Sequence, residues 1–344
     1  MTNIRYKILL AVLAAAISGG LSLTGSGQTP PPVPQPAQTA VPSRTRVQPA
    51  PPSRHISGPE GTYERAIAVA ANVNLTLCVT EGNLKVNGWN RNEVRLYVEG
   101  GPKFSFKVID NGPDAKPVWI STTNEARRPG INNDCIWGAA VEIDVPRGST
   151  LNLQGKAIDA QIDGLRKVGV KTVGGDISIR NVKEGVTANT YEGDVTVEES
   201  WGQVALESST GNIVVVDSGP SEIGDTFKAK TNSGAVSLTR VTHRAQEVNS
   251  ISGSVLFNGE LKSGGTYAFG TSNGTIRLAL PAMTGCKFAA TYTSGSFTNE
   301  LPFNIDTENV GPNDLMSVVG RIGAGGDALL KLTTVAGMIG IKKQ

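Results

Sequence analysis

The sequence predicts an all-β chain: a single-stranded β-helix, or β-solenoid, expected to be right-handed and built of about ten coils of 18–23 residues. Three observations predict it. First, eight glycines, Gly175, Gly193, Gly211, Gly234, Gly253, Gly274, Gly295 and Gly337, each sit at the centre of the same frame. Apolar residues lie seven and five places before most of these glycines, Thr or Ser lies three before, and apolar residues lie two and four after. Second, apolar and polar residues alternate with period two on both sides of each glycine, which marks two strands separated by a turn. Third, 41 Gly against 5% aromatic residues suits a turn-rich structure with an aliphatic core. A sandwich of regular hairpins is the alternative, but hairpins do not call for one residue type at one offset in eight places.

One such repeat cannot bury its inward face, whereas stacked repeats can. Stacking at ~4.8 Å per coil then lines up Thr172, Thr190, Ser208, Thr231, Ser250, Thr271 and Thr334 as a column. In that column each hydroxyl is expected to donate to the next and accept from the one before. Tyr292 takes the hydroxyl slot of the Gly295 repeat. The glycines are 18, 18, 23, 19, 21, 21 and 42 residues apart. The last gap is two periods, so one copy is expected to be overwritten by an extruded loop over 299–327.

The remainder of the chain is read in order. Arg5 and Lys7 precede the apolar run Ile8 to Ile17, which small residues follow; residues 1–27 are expected to be a secretory signal, with an uncleaved anchor as the alternative. Any membrane tether would have to run through residues 8–23. Residues 28–59 read as a disordered Pro-rich linker, with ten Pro between Pro30 and Pro59. Its Arg44, Arg46 and Arg54 would be the groups to touch anionic envelope material. The solenoid domain is expected over 60–344, with irregular opening coils or an end cover over 60–165 and regular repeats over 166–344. A separate small β domain is the alternative for 60–165.

The N-terminal 59 residues hold five basic and no acidic residues, leaving 27 basic and 30 acidic residues beyond them, a net of −3. No basic stripe marks the folded part, which argues against nucleic acid as a partner. The two histidines, His55 and His243, lie far apart in sequence, and neither has metal-ligand or triad spacing. Asp176 and Asp194 follow successive turn glycines and would stack. Two carboxylates so placed suit Ca²⁺ or acid/base chemistry, although small polar turn residues explain them without an ion. Trp89 and Trp137 at strand ends, and Trp201 beside Gly202 between two coils, suit core covering or, when exposed, stacking on sugar rings. Cys286 shares the inward phase of Phe288 and Ala290. Cys78 has the opposite phase from Leu77 and Val79 and is the candidate to pair with Cys135.

The phrases Glu81-Gly82-Asn83-Leu84-Lys85-Val86-Asn87-Gly88-Trp89, Val145-Pro146-Arg147-Gly148, Thr172-Val173-Gly174-Gly175-Asp176-Ile177 and Thr334-Val335-Ala336-Gly337-Met338-Ile339 resemble a bacterial putative-adhesin β-strand-repeat family of unknown function. The resemblance spans about residues 60–344. It implies a β-helix tied to the cell envelope, with no catalytic, metal-binding or cofactor residues to carry over. The expected protein is therefore a non-enzymatic, extracytoplasmic adhesin or scaffold whose partner is an envelope protein or glycan, needing no cofactor. Association through the solenoid ends is a further expectation. The alternative is a polysaccharide-binding or polysaccharide-active β-helix.

Overall fold

In the computed structural model, residues 61–125 and 135–344 are described. The expectations for residues 1–59, signal, linker and His55 alike, lie outside them. The described residues form β-strands and a single 3₁₀ turn at Pro312–Asp314. In chain order the first strands are β1 (Gly61–Ala68), β2 (Asn74–Trp89), β3 (Glu93–Gly101), β4 (Phe104–Asn111), β5 (Pro117–Asn124), β6 (Cys135–Ile136), β7 (Ala140–Pro146) and β8 (Thr150–Asp163). Six regular pairs follow: β9 (Lys167–Lys171) with β10 (Ile177–Arg180), β11 (Val186–Glu192) with β12 (Val195–Trp201), β13 (Val204–Thr210) with β14 (Ile213–Gly219), β15 (Thr226–Ser233) with β16 (Val236–Val241), β17 (Ala245–Ser252) with β18 (Val255–Asn258), and β19 (Thr266–Asn273) with β20 (Ile276–Leu280). The chain closes with β21 (Cys286–Tyr292), β22 (Ser294–Asn299), β23 (Phe303–Val310), β24 (Met316–Ile322) and β25 (Leu329–Lys343).

The six regular pairs stack in parallel and in register, so the fold is a β-solenoid. Val186, Ala188 and Thr190 lie over Val204, Leu206 and Ser208, and these over Phe227, Ala229 and Thr231. On the second face Val195 and Val197 lie over Ile213 and Val215, and these over Val236 and Leu238. The side chains that alternate inward are buried. They form files of like residues, each bringing about 1.5–3 kcal/mol per fully buried aliphatic side chain.

At both ends the spatial order departs from the chain order. Strand β2 lies between an outermost layer made of β5, β6 and β7 and the layer made by β8. The chain thus leaves β2 outward and returns past it. At the far end β25 is inserted between the β19/β20 layer and the β21/β22 layer. This corrects the expectation of an overwritten copy. The missing layer is present, supplied by the last strand, and the Gly295 repeat is displaced one layer outward. Segment 299–327 is likewise not an extruded loop. Its β24 pairs antiparallel with β21, and β23 pairs antiparallel with β24. Among the described residues, counting β5–β7, β2, β8, the six regular pairs, β25 and β21/β22 gives eleven layers.

Antiparallel strands extend the ends: β4 on β5, β3 on β7 and β1 on β3 at one end, β24 and β23 at the other. Phe288, Phe297 and Phe303 close the far end of the core, with Phe288 and Phe297 stacked at 5.6 Å. Near the opposite end Cys78 and Cys135, register partners in β2 and β6, form a disulfide with Cα atoms 4.4 Å apart. Closing a loop of 57 residues removes chain entropy worth about 4 kcal/mol. Cys286 is a free, buried thiol whose pKa burial pushes up to about 11.

Candidate interaction surface

The turn glycines are held by contact as much as by backbone angle. At Gly193, φ is 127°, a region that side chains rarely adopt. A Cβ built there would lie 2.2 Å from the carbonyl oxygen of Gly175 in the layer below. The same approach, 2.0–2.1 Å, recurs from Gly211, Gly234, Gly253 and Gly274 to the preceding glycine's oxygen. Gly337 approaches Gly274 and Gly295 approaches Gly337, at 1.8 and 1.7 Å, which repeats the insertion of β25 in the glycine file itself.

These carbonyls also take the hydroxyl protons, a correction to the expected hydroxyl-to-hydroxyl chain. Ser208, Thr231, Ser250 and Thr271 donate to the oxygens of Gly193, Gly211, Gly234 and Gly253 at 3.0, 2.9, 2.9 and 2.8 Å. Thr190 donates to its own turn at Glu192 O. Thr172 and Thr334 are buried with no hydrogen-bond partner for Oγ1. Tyr292 is half-buried against the core.

Asp176 and Asp194 do stack, but their carboxylates are engaged by the backbone. Asp176 Oδ1 accepts the Asp194 amide at 2.8 Å, and Asp194 Oδ1 accepts the Asn212 amide at 2.7 Å. Asn212 Oδ1 continues the ladder to the Ala235 amide at 2.9 Å. Asp159, absent from the sequence reading, begins it by accepting the Asp176 amide at 3.0 Å. Among the described residues no group of three or more His, Cys, Asp or Glu could hold a metal. His243 is buried with Nε2 2.7 Å from Gly202 O, and burial lowers its pKa although that hydrogen bond opposes the shift. Trp89 carries Arg91 and Arg95 over its ring at 5.0 and 5.6 Å; Trp137 is half-buried, and Trp201 is 43% exposed beside Gly219.

A groove of about 260 Å³ lies on the second face, across β2, β8, β10 and β12. Its outward side chains occupy two slots of the frame, three and five places after the turn position. They are Lys85 and Asn87, Gln161 and Asp163, Ser178 and Arg180, then Glu198. Asp163 accepts from Asn181 Nδ2 at 2.6 Å and from Arg180 Nε at 3.4 Å. Asn87 donates to Asp144 at 3.0 Å, and Arg95 pairs with Asp144, which raises the Arg95 pKa through their hydrogen bond. One layer past Glu198 the same slots hold Val214 and Val216, so the charged lattice ends there. The sequence reading missed this groove because the β8 layer has Ile158 where its neighbours have glycine. Following the outward slots of the frame through that layer would have found it.

The Toastrack DUF4097 family model matches residues 132–316, more than half of the chain. The protein is a member of that family. The fold is thus the Toastrack β-solenoid, here with its two ends built out of chain order. No curated protein matches the chain. The structure is similar to that of a "putative cell adhesion protein" from Clostridium sporogenes, 12% identical, with 82% of this chain and 100% of that one covered and a TM-score of 0.24. It is also similar to a "putative adhesin" from Bacteroides fragilis, 12% identical, covering 83% and 98% of the two chains with a TM-score of 0.34.

Proposed function

We propose that this Toastrack protein is exported and non-catalytic, and that it presents its solenoid as a rigid surface to an envelope protein or glycan. In this reading residues 1–27 direct export or anchor the chain, 28–59 space it from the membrane, and 60–344 bind. The observation that carries the proposal is the groove on β2, β8, β10 and β12. Four successive layers hold seven polar side chains at fixed spacing, with amide, carboxylate, ammonium and guanidinium groups side by side. That arrangement suits hydrogen bonding to an extended polar partner. The test is cell fractionation joined to binding. The full chain is expected in the extracytoplasmic fraction and bound to isolated envelopes. Lys85→Glu with Arg180→Glu is expected to weaken that binding about tenfold or more with unchanged melting. Retention in the cytoplasm would refute export, and unchanged binding by the double variant would refute the groove.

A further inference from the structure

Every stack of strands has open edges, and among the described residues this one has five: β1, β4 and β6 at one end, β22 and β23 at the other. Strand β6 is only two residues long, and three others are built against pairing. Strand β1 has a register shift at Gly61/Tyr63 and carries Glu64 and Arg65. Strand β4 shifts register between Val108 and Asn111 and carries Lys107 and Asp110. Strand β23 shifts at Ile305/Thr307 and carries Asp306 and Glu308. Bulges and charges are the devices by which edge strands refuse a foreign strand.

Strand β22 has neither device. Ser294-Gly295-Ser296-Phe297-Thr298-Asn299 is uncharged and pairs with Ala336–Ile341 in unbroken register. Ser294, Gly295, Ser296 and Thr298 are exposed. The antiparallel β24 and β23 build out only the β21 face, so β22 remains the last strand of its own face. In any strand alternate N–H and C=O groups point away from the paired neighbour. For β22 no described strand receives them.

We propose that β22 pairs antiparallel with β22 of a second copy of this chain, making a closed two-fold dimer through this end of the solenoid. The occupant is a second copy because the strand complements itself. With no charges, two-fold pairing sets no like charges opposite one another. Of the four other described edges three are bulged and charged and β6 spans two residues, so none offers a matching strand for a head-to-tail contact. Pairing consumes β22 on both copies, so assembly stops at two and does not run on into a filament. A six-residue contact is small, so the dimer is weak and depends on concentration. This proposal is independent of what the groove binds.

Sedimentation equilibrium of the full chain over a wide concentration range tests it. The mass is expected to climb from one chain to two and to stop there. Ser296→Lys is expected to remain a single chain over the same range with unchanged melting, while Ile109→Lys on β4 dimerises like the parent. A parent protein that stays monomeric, or species larger than a dimer, would overturn the proposal. So would a dimer that survives Ser296→Lys or is lost in Ile109→Lys.

Discussion

Gly274→Ala is expected to destabilise the protein by about 3 kcal/mol or more, seen as a large fall in melting temperature or as failure to fold. The new methyl carbon would lie 2.0 Å from Gly253 O and 3.1 Å from Thr271 Oγ1. The oxygen belongs to the backbone of the turn between β17 and β18, two strands each paired on both sides, so it cannot swing away as a side-chain tip can. Moving it would also break the 2.8 Å bond from Thr271 and the in-register pairs of β17 with β19. Gly274 does not have the left-handed backbone angle of Gly193, so the effect isolates contact from conformational strain. Gly169 is the control. It lies in β9, where an added methyl group would meet the Asn152 side-chain oxygen at 3.3 Å and Leu151 O at 3.7 Å, an ordinary contact distance. Gly169→Ala is expected to be neutral or slightly stabilising, because alanine suits a strand interior better than glycine. Equal losses at the two sites would show that the glycine file is not a packing device.

Ending the chain at Ala328, so that β25 is removed, is expected to cost far more than shortening a solenoid by its last layer. In a stack built in chain order, loss of the last strand exposes one layer and leaves the others paired. Here β25 contacts β19 and β20 on one side and β21 and β22 on the other. Its buried Leu330, Leu332, Ile339 and Ile341 fill the core between those layers. At about 1.5–3 kcal/mol each, their loss alone rivals the whole stability of an ordinary domain. Two rows of strand edge would open as well. The truncated chain is expected to aggregate or to lose protection from proteolysis over 286–328. A soluble truncated protein with parent-like melting would contradict the inserted position.

The frame of the regular layers was legible because its cause is steric and local. Only glycine fits where a carbonyl oxygen sits about 2 Å from the position of a Cβ, so the same residue recurs at each turn. The phase of the inward side chains followed from alternation alone, and Cys78 and Cys135 came from the same phase argument. Three things were hidden. The acceptors of the hydroxyl column are backbone oxygens, which carry no sequence signal. The β8 layer hides its turn because Ile158 fills the space left by Gly155, where a Cβ would meet the Ile158 side chain at 2.5 Å. That exchange moves the glycine three places and takes the groove residues Gln161 and Asp163 out of the visible frame. Finally, the order of layers is a long-range property. Gly295 and Gly337 look alike in sequence whichever of them lies nearer Gly274. Segment 299–327 read as a loop from Pro302, Pro312 and its glycines, yet Val318, Gly320 and Ile322 alternate inward against Ala290, Phe288 and Cys286.

Paired cysteines can read that order directly. Asn273 and Ala336 are register partners in adjacent layers, whereas Ser294, paired with Ala336, lies one layer further on. Neighbouring parallel strands stand about 4.8 Å apart, within disulfide reach, and strands two layers apart do not. Intact-mass measurement after mild oxidation is therefore expected to show a cross-link in Asn273→Cys with Ala336→Cys and none in Asn273→Cys with Ser294→Cys. The opposite result, a bond from 273 to 294 and none from 273 to 336, would mean that the layers stack in chain order and that the stack described above is wrong.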